Sequence, residues 1–348
     1  MRAPKTREHL FSHGLKGVQC QPTLSKAGRS DYIPLNLRGL MLGERLTFSL
    51  YLKAGDNQWE GFKFFPYLDA GEVLDSKWLE PLSKIGIMCL YFHSSDLDNV
   101  LAYLNNHLQL LEQETSRSKE KFHVLTEHLS LTIRQAMVAP RLGAHIDPAL
   151  KQVDMIISEF QNDKYYPKMI WEILFRNYSL YNHAVNVCLL SVALMLFLKK
   201  PQRESRLLGS AALVFDLGMT RISEDILYKS ERLTPEEWEE TKKHPLIGKH
   251  ILKRYSTLPT EGIQLVLEHH ENADGSGYPE GLRLRQQHPW TRILRLVDAY
   301  DALTTNRPHR PAQTPFAALK LLQKQAGPQG AIFERRTLKN FIRFLAFC

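Results

Sequence analysis

Cysteine is scarce in this sequence, and no two cysteines lie close together. The four that are present, Cys20, Cys89, Cys188 and Cys348, are far apart and form no CxxC pair. Because zinc ribbons and disulfide frameworks need cysteines at short or regular spacing, the sequence predicts neither. Isolated cysteines are typical of proteins from a reducing compartment, so we expect a cytoplasmic protein.

The sequence also lacks a long uninterrupted apolar run. The longest one, residues 184–198, is broken by Asn186 and Ser191 and falls short of the roughly 20 residues that span a bilayer. The charges near the N-terminus are not followed by the apolar segment of a secretory signal. We therefore expect no transmembrane segment and interpret residues 184–198 as a buried core helix.

Excess charge is concentrated at one end of the chain. The formal net charge is +8, and residues 1–29 contribute +5 of it, with six basic side chains against Glu8 alone. The remaining +3 is too little for the basic stripe that a nucleic-acid-binding face requires. We expect no specific nucleic-acid binding and interpret residues 1–29 as a basic, flexible arm.

The body of the chain is predicted to contain two kinds of architecture. A length of 348 residues suggests about two domains. Residues 46–53 alternate apolar and polar side chains and predict a hairpin strand, Asp75 can cap a short helix, and residues 87–92 form an apolar run of strand length. We expect a small α+β domain with a trailing helix over 30–112, a connecting helix and linker over 113–147, and an all-α domain over 148–348, which shows no period-two pattern.

Side chains that can bind metals are concentrated in the predicted all-α domain. His269 and His270 are adjacent at the end of a predicted helix, and Asp216 follows an aliphatic run in which an unpaired carboxylate would be costly. His183 opens the apolar helix and His244 is predicted to end the helix that starts at Thr234-Pro235. With Asp298, these nitrogen and carboxylate groups come from separate helices, an arrangement that suits iron, manganese or zinc in a bundle core.

The histidine pair opens a longer motif. Residues 269–279 read His-His-Glu-Asn-Ala-Asp-Gly-Ser-Gly-Tyr-Pro, which fits the pattern HHExxDGxGYP, and Arg292, Asp298, the triplet 301–303 and Arg307-Pro308 fit its continuation. On these residues the chain resembles the HD-GYP family, a branch of the HD metal-dependent phosphohydrolases that hydrolyses cyclic di-GMP. The resemblance implies an HD-type helical bundle. Residues 32–92 are more weakly similar to a small domain often found ahead of such modules, which suggests an input or regulatory role.

The resemblance also implies roles for individual residues. Carried over position by position, it implies one or two divalent metal ions, most simply iron or manganese, with Asp216 bridging them as the central catalytic residue. His183 and Asp298 would serve one ion and the three other histidines the second. The implied substrate is cyclic di-GMP, opened to pGpG and then GMP. The implied metal ligands are His183, Asp216, His244, His269, His270 and Asp298, and the implied substrate contacts are Tyr278, Pro279, Arg307 and Arg310.

Two positions depart from the family pattern. The family's HDxGK segment reads Phe215-Asp216-Leu217-Gly218-Met219 here. Phenylalanine cannot bind a metal, and methionine has no ammonium group for the scissile phosphate. We therefore expect a weakened phosphodiesterase with fewer ions than a complete member. The alternatives are an inactive receptor for metal or cyclic di-GMP, and an interaction module that docks other signalling proteins such as diguanylate cyclase domains.

Overall fold

The structure is a computed structural model. It describes residues 31–55, 62–112, 118–138, 143–162, 170–171, 174, 179–227, 229, 231–307, 310–326 and 331–348. The predicted basic arm, residues 1–29, lies outside these ranges. The chain divides into two compact units, Met1–His128 and Leu129–Cys348. The domain limits predicted at 112 and 147 stay predictions.

The N-terminal unit is built on a four-stranded sheet. Its strands are β1 (Tyr32–Asn36), β2 (Leu50–Gly55), β3 (Phe62–Leu68) and β4 (Cys89–His93), and their order in the sheet is β1-β4-β2-β3 with all neighbours antiparallel. The pairing of β2 with β3 confirms a hairpin, but β2 begins at Leu50 and not at residue 46 as predicted. Cys89 is disulfide-bonded, which the wide spacing of the cysteines did not predict, whereas Cys188 and Cys348 are free.

Three helices accompany this sheet along the chain. They are α1 (Ser76–Lys84), α2 (Leu97–Glu112) and α3 (Ser118–Val138), the last of which contains the division between the units. Asp75 caps α1 as predicted, because its carboxylate accepts a hydrogen bond from the backbone N–H of Lys77 at 3.1 Å. Side chains such as Leu35, Phe48 and Leu104 are at most 1% exposed and form the core of this unit.

Among its described residues, the C-terminal unit consists of helices joined by loops, with two isolated β-bridges and no strand. This confirms the prediction of a small α+β domain followed by an all-α bundle. Its helices are α4 (Gly143–Asn162), α5 (Leu180–Phe197), α6 (Gln202–Val214), α7 (Glu224–Leu227), α8 (Pro235–Thr241), α9 (His244–Tyr255), α10 (Thr260–Glu268), α11 (Thr291–Thr304), α12 (Pro315–Gln325) and α13 (Arg335–Phe347), with a 3₁₀ turn at Leu217–Arg221.

The central helix of this unit is α5. Every residue from His183 to Met195 is buried, and α5 packs against α6 and α11. Among the described residues it is the one helix long and apolar enough to cross a membrane by length and composition, and 72% of its apolar window is buried inside the protein. Burial on all sides is what the core helix of a globular bundle shows.

The junction between α8 and α9 differs from the prediction. The helix that begins after Thr234 ends at Thr241, and His244 starts α9 instead of ending α8. The residue that follows His244 is a proline, which often ends a helix, but proline is also common in a first turn, where its missing N–H has no intrahelical partner to lose. Gly218 packs against this junction so closely that a Cβ there would lie 2.0 Å from the carbonyl oxygen of His244. Only glycine allows the turn after Asp216 to approach α9.

Candidate metal centre

Four of the predicted ligands meet in one place, which we call the four-residue cluster: Asp216, His244, His269 and His270. One possible ligand atom from each lies within 4.8 Å of the other three. Asp216 follows the end of α6, His244 is the first residue of α9, and the two adjacent histidines follow the end of α10. Three separate chain segments thus meet at one place, and the packing of their helices determines the positions of the four side chains.

The histidine rings of this cluster are oriented by backbone carbonyls. His244 Nδ1 lies 2.7 Å from the Thr241 oxygen and His269 Nδ1 lies 2.6 Å from the Val266 oxygen. Because a carbonyl oxygen only accepts hydrogen bonds, both Nδ1 atoms carry a proton, and each ring in its neutral form presents Nε2 as an acceptor. Metal-binding histidines typically make this second hydrogen bond, which fixes the tautomer and the ring orientation.

The acceptors then face one another across a short gap. The Nε2 atoms of His244 and His269 are 3.1 Å apart, and Asp216 Oδ1 lies 3.4 and 3.7 Å from them. Lone pairs at these distances repel unless a cation lies among them. Nitrogen and carboxylate donors in this arrangement fit a divalent metal ion such as iron, manganese or zinc.

The protonation states suit the same purpose. Burial lowers the pKa of His244 to about 4, and burial together with its charged neighbours lowers the pKa of His270 well below its usual range. Burial opposes ionisation of Asp216, but the surrounding imidazole groups of His269, His244 and His183 outweigh it and lower the pKa of that carboxyl to about 2. Neutral imidazoles and an ionised carboxylate are the forms that bind metals.

The other two predicted ligands form a second arrangement, which we call the His183 group: His183, Asn186, Asp298 and Asp301. His183 Nδ1 lies 2.7 Å from Asp301 Oδ2, and its Nε2 lies 3.1 Å from Asp298 Oδ1. Asn186 donates to the other oxygen of Asp301 at 2.8 Å. Burial alone would lower the pKa of His183, but the two carboxylates raise it to about 9. Both ring nitrogens therefore have acceptor partners within the protein.

Phe215 lies between the two sets. Its ring centroid is 5.5 Å from that of His183 and 4.9 Å from that of His269, in edge-to-face geometry, and its side chain is fully buried. The ring occupies the position at which the family pattern has a histidine. Asp298 remains near the four-residue cluster, with its Oδ2 4.0 Å from His270 Nδ1 and 3.6 Å from Arg295 Nη1.

The predicted substrate contacts are only partly brought to the cluster. The ring of Tyr278 lies 4.7 Å from that of His270 at an interplanar angle of 31°, and Pro279 follows it across a cis peptide bond. The Arg310 guanidinium donates instead to the carbonyls of Ala302 and Leu303 at the end of α11. The backbones of Arg307 and Arg310 are hydrogen-bonded to each other in both directions, and residues 308 and 309 lie outside the described residues.

Sequence reasoning placed two carboxylates of this region in the motif but gave neither of them a role. Asp301 holds His183, and the signal for it was its position one helical turn after Asp298 on the apolar helix α11. Glu271 is 1% exposed, and its carboxylate accepts hydrogen bonds from the backbone N–H groups of residues 280, 281 and 282 at 2.7, 3.0 and 2.8 Å. It ties down the loop that carries Tyr278, a role that no spacing in the sequence indicates.

The family comparison agrees with this geometry. A model of the HD domain family matches residues 168–329, which contain all six predicted ligands and Phe215. We refer to this matched segment, residues 168–329, as the HD domain. Together with the relatives and the fold neighbour described next, this match confirms the resemblance to the HD-GYP family that the motif residues indicated.

Similar proteins match part of this chain and part of their own length. A cyclic di-GMP phosphodiesterase of Pseudomonas aeruginosa is 31% identical over 163 residues, which are 47% of this chain and 38% of that protein. The cyclic di-GMP phosphodiesterase response regulator RpfG of Xanthomonas campestris is 35% identical over 143 residues, which are 41% of this chain and 37% of that protein. The alignments thus span less than half of these relatives.

A solved structure extends the likeness in fold. The protein Bd1817 of Bdellovibrio bacteriovorus, described as an HDG"Y"P protein, superposes with a TM-score of 0.68 over 91% of this chain and 100% of its own, at 18% sequence identity. At that identity the likeness concerns the fold alone.

Proposed function

We propose that the HD domain binds a divalent metal ion at the four-residue cluster and hydrolyses a phosphodiester bond of cyclic di-GMP, more slowly than a complete HD-GYP enzyme. The observation that carries the proposal is the set of facing acceptors, His244 Nε2, His269 Nε2 and Asp216 Oδ1, at 3.1 to 3.7 Å. The relatives named as cyclic di-GMP phosphodiesterases support the substrate.

Each residue of the cluster has a definite task in this proposal. Asp216, His244, His269 and His270 would hold the ion, iron or manganese by the family resemblance, and Asp216 is the catalytic carboxylate. A bound ion of this kind makes a hydroxide nucleophile available at neutral pH and neutralises charge on phosphoryl oxygens. Tyr278, beside His270, would contact the substrate, and Glu271 would keep Tyr278 in place by fixing the loop after it.

The reduced rate follows from the two family departures. Phe215 offers no nitrogen to a first ion shared by His183 and Asp298. Met219 lies three residues after Asp216 in the 3₁₀ turn and offers no ammonium to a phosphate. Loss of one electrostatic stabiliser commonly costs on the order of 10² to 10³ in rate.

The second candidate is a receptor that binds metal and cyclic di-GMP without turnover. The His183 group favours it, because both nitrogens of His183 are already hydrogen-bonded to Asp298 and Asp301. A ligand set whose members are hydrogen-bonded to one another is poorly prepared for a second ion.

In either case we propose that the N-terminal unit is the regulatory part of a cytoplasmic signalling protein.

Metal content and product release separate these functions. The full chain is loaded with iron(II) or manganese(II), its metal content is measured by elemental analysis, and release of pGpG from cyclic di-GMP is followed by chromatography beside a complete HD-GYP enzyme. We expect about one ion per chain and slow release. Binding of cyclic di-GMP without any product would favour the receptor, and a rate equal to that of the complete enzyme would refute the weakening assigned to Phe215 and Met219.

A further inference from the structure

An exposed aromatic side chain stands next to the four-residue cluster without a role in it. Trp238, in the middle of α8, is 45% exposed. Its ring lies 6.3 Å from that of Tyr278, edge to face, and Tyr278 in turn lies 4.7 Å from His270. A continuous series of rings therefore leads from the cluster to the surface.

A positive charge accompanies these rings. Lys242 follows α8, and its Nζ lies 5.9 Å from the ring centroids of both Trp238 and Tyr278. The same Nζ is hydrogen-bonded to Glu239 at 2.6 Å, an exposed pair that a stronger anion can displace. The ammonium group is therefore held over the aromatic surface on the side of the cluster, two residues before His244.

Core packing does not account for Trp238. Of the seven residues of α8, only Thr241 is buried, and the others are mainly glutamates. A half-exposed indole beside a tyrosine and a lysine has instead the components of a nucleotide-binding surface, in which rings stack on a base and a cation attracts the phosphate. Large purine bases gain most from such a surface.

We propose that Trp238 and Lys242 form a subsite for one purine base and the adjoining phosphate of a cyclic dinucleotide, directly beside the metal-binding cluster. The proposal deepens the proposed function and rests on it for the identity of the ligand. Trp238 supplies the stacking surface. Lys242 supplies, from the α8 side, a positive charge near the phosphates that Met219 cannot offer.

The chain contains a matched control. Tyr255, at the end of α9, is 44% exposed and has the guanidinium of Arg254 5.3 Å from its ring centroid. It is eleven residues after His244, which corresponds to roughly 16 Å along the helix. Tyr255→Ala removes an equally exposed aromatic group that carries a cation, but does so away from the cluster.

The test measures, by calorimetry, the binding of inorganic phosphate, GMP and cyclic di-GMP to the full chain loaded with manganese. Trp238→Ala should weaken GMP and cyclic di-GMP binding by roughly 5- to 150-fold, the effect of losing one base stack. It should leave phosphate affinity and metal content unchanged, and Trp238→Phe should restore most of the loss. Lys242→Met should weaken cyclic di-GMP binding at low salt and have little effect at high salt. Tyr255→Ala should change nothing.

Several results would overturn the subsite. Loss of metal or of phosphate affinity in Trp238→Ala would show a structural role, and unchanged cyclic di-GMP affinity would show that the indole touches no base. Wild-type protein that binds neither nucleotide would also overturn it. Tight binding that depends on Trp238, without release of pGpG, would refute the proposed hydrolysis while supporting the subsite.

Discussion

The two groups of buried histidines and carboxylates differ in what their atoms face. In the four-residue cluster, Nε2 of His244 and of His269 point at each other and at Asp216, and each ring's proton is used on a backbone carbonyl. In the His183 group, both ring nitrogens are hydrogen-bonded to carboxylates. The first arrangement directs three acceptor atoms at one point, whereas in the second a protonated His183 lies between two carboxylates.

Under the proposed function, this difference accounts for the way in which one substitution could change a binuclear pattern without disrupting the core. Phe215 removes one nitrogen, and the residues that would have shared an ion with it become partners of one another. A buried carboxylate needs a cation or donors, and His183 and Asn186 meet that need for Asp301. The family residues at 183 and 298 are thus hydrogen-bonded to each other in this structure.

The largest effect should come from removing an acceptor of the four-residue cluster. His269→Ala leaves no imidazole opposite His244, so metal affinity should fall by more than the roughly 10- to 100-fold typical of losing an outer-shell partner. Metal content after dialysis, measured by elemental analysis, checks this. His250→Ala is the control, because His250 is exposed on α9 and bonds only to the Leu246 carbonyl among its described contacts. Equal metal content in both variants would contradict the assignment of the cluster.

The His183 group should respond in stability instead of metal content. Asp301→Ala removes the acceptor of both His183 and Asn186 and leaves a buried polar group uncompensated. Breaking such a buried pair typically costs about 3 to 5 kcal/mol, to be measured as the change in unfolding free energy in urea. The exposed Asp225→Ala is the control. If Asp301→Ala instead removed the metal with little loss of stability, the His183 group would be part of the working metal site.

Restoring the family residues at positions 215 and 219 should turn the His183 group into a metal-binding site like the four-residue cluster. Phe215→His places an imidazole near His183, and Met219→Lys adds an ammonium. If the pocket is otherwise intact, the double variant should bind a second ion and release pGpG faster by on the order of 10² to 10³. Each single variant serves as a control for the other. A gain from Met219→Lys alone, without additional metal, would assign the slow rate to the missing ammonium and not to Phe215.

The sequence was sufficient for those parts of the site that depend on residue type and order. The adjacent histidines, Asp216 after an aliphatic run, and the substituted Phe215 and Met219 could all be recognised from motif positions. The all-α domain followed from the absence of any period-two segment, and the hairpin from the alternation at residues 46–53.

What escaped prediction depends on contacts between distant residues or on choices that are locally balanced. Pro245 could equally end one helix or start the next. In the structure it lies in the first turn of α9, where the turn at Gly218 packs against His244. Asp301 and Glu271 have roles only because partners more than 100 residues away, or a folded loop, come within hydrogen-bond distance. The half-exposed Trp238 became informative only when its neighbours Tyr278 and Lys242 were known.

The smallest predicted effect concerns Glu127, a carboxylate in the N-terminal unit. Among its described contacts it has neither the histidine neighbours of Asp216 nor the histidine and amide partners of Asp301. Glu127 is buried, and its described partner is a single backbone N–H, that of Asn36 at 3.2 Å. Burial therefore raises its pKa to about 7, although that hydrogen bond acts in the opposite direction. The contrast is with Asp216, which is also buried but has histidine partners that lower its pKa to about 2.

The sign of the pH dependence follows from the raised pKa. Between pH 4.5 and 7 the folded chain holds a proton on Glu127 that the unfolded chain has released, so stability falls as the pH rises through this window. The loss should be on the order of 2 to 3 kcal/mol, since each pKa unit corresponds to about 1.4 kcal/mol. Hydrogen exchange of the β1 amides at pH 5 and pH 8, corrected for intrinsic rates, measures the opening free energy of this unit. Glu127→Gln should remove most of the difference between the two pH values because it cannot ionise. If the wild type and Glu127→Gln lost the same stability over this range, another group would be responsible, and the contrast with Asp216 would have to be explained without burial.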